Sequence, residues 1–165
     1  MAKESSFDVV SVVDIQEVDN AFQQAKKELA QRYDLKDSGS TIAFDKQAKT
    51  ITVKAPSDFV AGQITDIIGT KLVKRGIDMG AVKWGASVPS AGQSVTKTAA
   101  LVDGIDKDAA GKINKDIKAL KLKAKVQIEG DKLRVSSASR DTLQEVIAFL
   151  KGQDYGQPLQ YVNYR

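Results

Sequence analysis

The chain has 165 residues, of which 42% are apolar, and a formal net charge of +4 at pH 7 from 25 Lys/Arg and 21 Asp/Glu. It contains no cysteine and no histidine, which excludes disulfides, thiolate metal sites and the Ser–His or Cys–His pairs of many hydrolases. Residues 1–6 do not resemble a signal peptide and no apolar run is long enough to span a membrane, so we expect a soluble cytoplasmic protein with no membrane partner.

The first half of the sequence predicts two helices and four strands. Residues 7–13 are rich in valine and predict a strand, after which Asp14 is placed to cap a helix that continues to about residue 33. Alternating apolar residues at 42–44 and 51–53 predict a β-hairpin. Ser57 then caps a second helix, Gly76 stands where its C-terminal cap is expected, and residues 82–84 predict a short strand.

The second half repeats this order after a Gly-, Ala- and Ser-rich stretch at 85–93, which indicates a linker. It predicts a strand at 95–102, a helix around 113–120, a hairpin at 122–136, a helix capped by Ser139 and a strand at 159–164. Each half therefore has the order βαββαβ. This order predicts an α+β fold of two tandem ferredoxin-like (ribonucleoprotein-like) domains, each an antiparallel sheet with helices on one face.

An internal repeat supports two domains. Apolar and serine positions recur at an offset of 82 residues, so that Ile51, Ser57 and Ile64 correspond to Leu133, Ser139 and Val146. The expected domains are residues 1–90 and 91–165, with an uncertain boundary across which terminal strands could be exchanged. Residues 91–165 contain 13 Lys/Arg and 9 Asp/Glu and so carry the whole net charge.

The second hairpin predicts a cationic surface. A two-residue turn at Gly130 and Asp131 would place Val126 opposite Val135. Because side chains alternate along a strand, the opposite face would then carry a group of cations, which is our candidate nucleotide-binding site: Lys121, Lys123, Lys125, Lys132 and Arg134. The alternative is that these lysines only protect exposed strands from aggregation.

Other kinds of site have little support in the sequence. The central strands lack the aromatic residues that stack on bases in many RNA-binding modules, although Trp84, Tyr155, Tyr161 and Tyr164 remain stacking candidates. No phosphate-binding glycine loop or nucleophile motif is present, and Asp8, Asp14 and Asp19 match no metal-binding spacing. We therefore expect no enzyme, no catalytic residues, no metal site and no cofactor.

The chain resembles the bacterial YajQ family over nearly its whole length. The matching segments are residues 6–11, 13–18, 57–59, 74–77, 156–161 and 163–165, whereas Val12 and the stretch 79–91 depart from the family pattern. The resemblance implies tandem ribonucleoprotein-like domains and a nucleotide as ligand. It also implies cyclic di-GMP as the ligand of some members, a link to transcription, and no established catalytic residues. RNA is a second possible ligand, and a protein-interaction module with a transcription-regulator partner is the alternative function.

Overall fold

The computed structural model describes residues 4–165, which form two compact units. The continuous unit is Val13–Val102, and the discontinuous unit combines residues 4–12 with Asp103–Arg165. In chain order the helices and strands are β1 (Ser5–Val10), α1 (Ile15–Gln31), β2 (Thr41–Asp45), β3 (Thr50–Ala55), α2 (Asp58–Lys74), β4 (Val82–Trp84), β5 (Val88–Ser90), β6 (Ser94–Leu101), α3 (Lys107–Ala119), β7 (Lys125–Glu129), β8 (Lys132–Ser137), α4 (Arg140–Lys151) and β9 (Gln160–Val162).

The continuous unit packs α1 and α2 against one antiparallel sheet. Its strand order is β2-β3-β6-β4, with β5 also paired to β6. The core joins Val18 of α1, Ile64 of α2 and Ile51 of β3, all of which are buried. Two predicted caps are confirmed: the Asp14 carboxylate accepts from the backbone N–H groups at the start of α1, and Gly76, just after α2, has φ +79°.

The discontinuous unit is built in the same way from α3, α4 and four strands in the order β7-β8-β1-β9. Phe7 and Val9 of β1 are fully buried, together with Ile113 of α3, Leu133 of β8 and Val146 of α4. The predicted α+β fold, with two ferredoxin-like units and antiparallel sheets, is confirmed.

The structure also confirms the internal repeat. β3 begins at residue 50 and β8 at residue 132, while α2 begins at 58 and α4 at 140, so both pairs keep the offset of 82. Ser57 and Ser139 cap the two equivalent helices through their hydroxyl groups. The repeat therefore corresponds to a β-strand, a serine cap and the helix that follows it.

The division of the chain differs from the expected ranges 1–90 and 91–165. β6 pairs with β3 and β4, while β1 pairs with β8 and β9, so each strand contributes to the sheet of the other half of the sequence. The stretch 85–93 is not a linker, because its β5 pairs with the start of β6 through Val88 opposite Thr96. The connections between the units follow Val12 and Val102 instead.

Candidate anion-binding surface

The β7–β8 hairpin has the register predicted from its turn. Val126 lies opposite Val135 and Gln127 opposite Arg134, and Gly130 takes the positive φ of +62° that a tight turn requires. Leu133 and Val135 are buried in the core. The alternate residues of both strands therefore lie on the face away from the helices, which we call the open face.

The open face continues onto β1. Phe7 and Val9 are buried in the core and Asp8 alternates with them, directly opposite Arg134 on β8. The residues of β1, β7 and β8 on this face are Ser6, Asp8, Val10, Lys125, Gln127, Glu129, Lys132, Arg134 and Ser136. It therefore contains carboxylates as well as cations.

Asp8 lies at the centre of this face and is only 1% exposed. Its carboxylate accepts from Arg134 Nε at 3.1 Å, from Asn163 Nδ2 at 2.8 Å and from Lys132 Nζ at 3.4 Å. Burial alone would raise the pKa of Asp8, but the hydrogen bonds from Asn163 and Arg134 and the two positive charges hold that pKa below its usual value. Asp8 thus neutralises part of the predicted cationic group.

The remaining candidate cations differ in their partners. Lys125 Nζ lies 3.2 Å from Glu4 Oε1, yet its side chain stays 81% exposed, so this ion pair is weak. Lys121 and Lys123 are exposed in the segment before β7, where Leu122 packs against the core. Neither makes an ion pair with another residue of the described part of the chain. Lys132 and Arg134 therefore both form ion pairs with the Asp8 carboxylate, whereas Lys121 and Lys123 are exposed to solvent.

The aromatic candidates fall into two groups. The Tyr155 hydroxyl donates to Asp116 Oδ2 at 2.8 Å, and Tyr161 makes an edge contact with Phe7 at 6.1 Å, so both are packing residues. Burial raises the pKa of both phenols, and for Tyr155 the bond to Asp116 raises it further. Trp84 belongs to the continuous unit, where Lys97 lies over its ring. Tyr164 is 61% exposed.

A cavity of about 290 Å³ lies at the start of β1, and the sequence did not predict it. Its lining residues are Ser5, Ser6, Arg140, Leu143, Gln144, Tyr164 and Arg165. Backbone hydrogen bonds between Ser6 and Arg165 bring the two ends of the described chain side by side. The sequence predicts the alternation of Ser6 with Phe7 along β1. It does not predict the pairing of Ser6 with Arg165, because residues so far apart in the chain share no local sequence pattern.

Within residues 4–165, no group of three or more Asp or Glu side chains is arranged to hold a metal ion. None of the helices in that range is long and apolar enough to cross a membrane.

Residues 5–165 match the family model described as "Nucleotide-binding protein YajQ-like". The chain belongs to the YajQ family. Relatives of this YajQ-family chain include proteins from Desulfitobacterium hafniense at 46% identity, Bacillus cereus at 44% and Chloroherpeton thalassium at 43%. Each alignment covers 165 residues and the whole of both chains, and each relative has a name that begins "Nucleotide-binding protein".

Proposed function

We propose that this protein is a cytoplasmic, non-enzymatic nucleotide- or RNA-binding protein that contacts phosphates through the open face of its discontinuous unit. The observation that carries the proposal is the cationic group Lys121, Lys123, Lys125, Lys132 and Arg134 on and beside the β7–β8 hairpin. Glu4, Asp8 and Glu129 neutralise it only in part. The names of the relatives support the same ligand class.

The arrangement favours contacts to phosphates over the reading of bases. Lysine side chains are flexible point charges, whereas base recognition needs a stacking aromatic or a fixed hydrogen-bond pattern. The equivalent face of the continuous unit is less basic: it has two lysines, Lys54 and Lys83, together with Asp45 and uncharged residues such as Thr50 and Thr52. We therefore assign the phosphate contacts to the discontinuous unit, with GTP, cyclic di-GMP and a short RNA as the ligands to compare.

The test is a titration of the full chain with each labelled ligand at 50 and 200 mM salt. We expect saturable binding, and for the RNA an affinity that falls about twentyfold between the two salt concentrations if three phosphates are contacted, because bound counterions are released. A triple variant, Lys121→Ser, Lys123→Ser and Lys125→Ser, should weaken binding. Lys132 and Arg134 are kept, since removing them would leave the buried Asp8 carboxylate with the neutral amide of Asn163 but without either of its two cations.

The matched control removes three exposed lysines from the continuous unit, Lys26→Ser, Lys54→Ser and Lys83→Ser. It should bind like the unsubstituted protein at both salt concentrations. Equal binding by the triple variant, or binding that does not change with salt, would contradict phosphate contacts on the open face. Turnover of a bound nucleotide would contradict the non-enzymatic assignment.

The alternative function is interaction with a protein, such as a transcription regulator. It is favoured by an apolar groove in the continuous unit, where Val73 and Met79 are exposed beside Trp84. Exposed apolar side chains that line one groove are typical of protein contacts. A chain that binds none of the three nucleotide ligands would make this the better assignment.

A further inference from the structure

We propose that the cavity at the start of β1 binds a phosphate monoester carried by a nucleoside, as in a free mononucleotide or the 5′ end of an RNA. This inference rests on the proposed function for its ligand class, but it concerns a separate site with its own residues. The site is formed by Ser5 and Ser6 of β1, Arg140, Leu143 and Gln144 of α4, and Tyr164 and Arg165.

The first argument is the charge of the two arginines. Arg32, Arg75 and Arg134 each lie within 4 Å of a carboxylate. Arg140 and Arg165 both line this cavity, and neither makes an ion pair with any residue in 4–165. No Asp or Glu side chain is among the lining residues described. The cavity is therefore lined by two arginines that have no Asp or Glu partner in 4–165, and guanidinium groups bind phosphate oxygens in pairs.

The second argument is the match to a monoester. A phosphate monoester carries about −1.5 to −2 charges at pH 7, because its second pKa is about 6. It also has three unesterified oxygens, enough to accept hydrogen bonds from two guanidinium groups. A phosphodiester, as in cyclic di-GMP or within an RNA chain, has a single negative charge and two unesterified oxygens for each phosphate. The pair of arginines therefore favours a terminal phosphate.

The third argument is the remaining lining. Arg140 Nε lies 3.4 Å from Ser5 Oγ, a contact that orients the guanidinium and leaves its two terminal nitrogens for a ligand. Tyr164 is mostly exposed, and its ring is held against Phe7 at 6.2 Å. An exposed, supported ring is a stacking surface for a base. Leu143 supplies a buried apolar floor and Gln144 an amide.

The size of the cavity fits a small ligand. At about 290 Å³ it lies at the lower end of the range of about 300–1,000 Å³ that is usual for ligand sites. The backbone pairing of Ser6 with Arg165, at 3.0 and 3.2 Å, fixes two of its walls relative to each other. We therefore assign one nucleotide unit to the cavity.

The experiment is a titration of the full chain with GMP and AMP, followed by calorimetry and by NMR of the arginine side chains. Guanosine, inorganic phosphate and cyclic di-GMP serve as ligand controls. Arg140→Gln and Arg165→Gln should each weaken GMP binding by at least about tenfold, the usual effect of removing a charged hydrogen bond. Tyr164→Leu should weaken GMP by about fivefold or more and leave inorganic phosphate unchanged.

Two further variants separate this site from general charge effects. Arg140→Lys keeps the charge but loses the paired donors, so it should not restore GMP binding. Arg32→Gln removes an arginine of the continuous unit and should bind GMP normally. GMP affinity should also fall between pH 7.5 and pH 5.5 as the monoester gains a proton, whereas any cyclic di-GMP affinity should not. The chain contains no histidine that could titrate in this range.

A short RNA with a 5′-phosphate or a 5′-hydroxyl distinguishes the two sources of the monoester. Tighter binding of the phosphorylated RNA than of GMP would assign the site to RNA ends, and the reverse to free mononucleotides. Nucleotide binding that Arg140→Gln and Arg165→Gln leave unchanged, but that the lysine variant of the open face weakens, would overturn this inference and keep the proposed function. Absence of binding by every nucleotide and RNA would overturn both.

Discussion

The Asp8 carboxylate controls how much positive charge the open face presents to a ligand. Its three donors come from β8 and from Asn163, far from it in the sequence. The alternation of residues 7–9 predicts that Asp8 lies on the face of the sheet away from the core. No pattern in the neighbouring sequence identifies which strand pairs with β1. The sequence could therefore predict the cations and not the carboxylate that neutralises two of them.

Asp8→Asn should lower the free energy of unfolding by about 1–3 kcal/mol at pH 7, because charge-assisted hydrogen bonds to a buried carboxylate are lost. Urea unfolding measures this difference. Asp37→Asn, which changes an exposed carboxylate in a turn of the continuous unit, is the control and should have little effect. Equal stability of the two variants would show that Asp8 does not hold the strands together.

The same carboxylate predicts a pH dependence. The pKa of Asp8 is lowered in the folded state relative to about 3.9 in an unfolded chain. Its contribution is therefore fully present above pH 3.9 and is lost as the pH falls through the lower, folded pKa. The stability difference between the unsubstituted chain and Asp8→Asn should shrink below pH 4. A difference that stays constant from pH 7 to pH 3 would contradict this linkage.

Asp8→Asn should also change the affinity of the open face for phosphate ligands. It removes the negative charge that pairs with Lys132 and Arg134, so both cations become available to phosphates. If the open face binds RNA, the variant should bind it more tightly at 50 mM salt than the unsubstituted chain does, as measured by fluorescence anisotropy. Weaker binding by a folded Asp8→Asn variant would place the phosphate contacts elsewhere.

At the scale of the elements, the β7–β8 turn depends on one glycine. Gly130 has φ +62°, a conformation that strains any residue with a Cβ, although an added Cβ would meet nothing within 4 Å. Gly130→Ala should therefore destabilise the protein by about 1 kcal/mol through backbone strain alone. Thermal unfolding followed by circular dichroism measures the effect.

Gly111 provides the matched control within the same unit. It lies inside α3, where a Cβ would also meet nothing within 4 Å, and its backbone is helical. Gly111→Ala should therefore stabilise the protein by about 0.5–1 kcal/mol. If the two substitutions change the free energy of unfolding in opposite directions, the effect comes from the backbone conformation at each position and not from the loss of a glycine.

The elements show how far local sequence patterns can lead. The caps at Asp14, Ser57 and Ser139 and the register of the second hairpin depend on neighbouring residues, and they could be predicted. An exchange of terminal strands was allowed for at the domain boundary, but it could not be assigned to β1 and β6, because apolar alternation in a strand does not identify the strand beside it. The sequence of a short apolar strand does not specify which strand it pairs with, so the pairing depends on the packing of the whole fold.

At the scale of the whole molecule, the exchange predicts which segments can fold alone. Residues 13–102 contain all strands of one sheet, whereas residues 1–90 lack β6, which lies between β3 and β4. We expect the segment 13–102 to give a dispersed NMR spectrum and a cooperative thermal transition. The segment 1–90 should give neither. A folded 1–90 segment would show that its own β1 can replace β6.

The insertion of Val13–Val102 between β1 and the rest of its sheet sets an order of events during synthesis. β1 leaves the ribosome first, but its partners β8 and β9 follow only after more than a hundred further residues. Translation proceeds at about 5–20 residues per second, so Phe7 and Val9 remain without a neighbouring strand for several seconds. The continuous unit can fold during that time. A newly made chain therefore carries an unpaired apolar strand, which a chaperone would be expected to shield until translation ends.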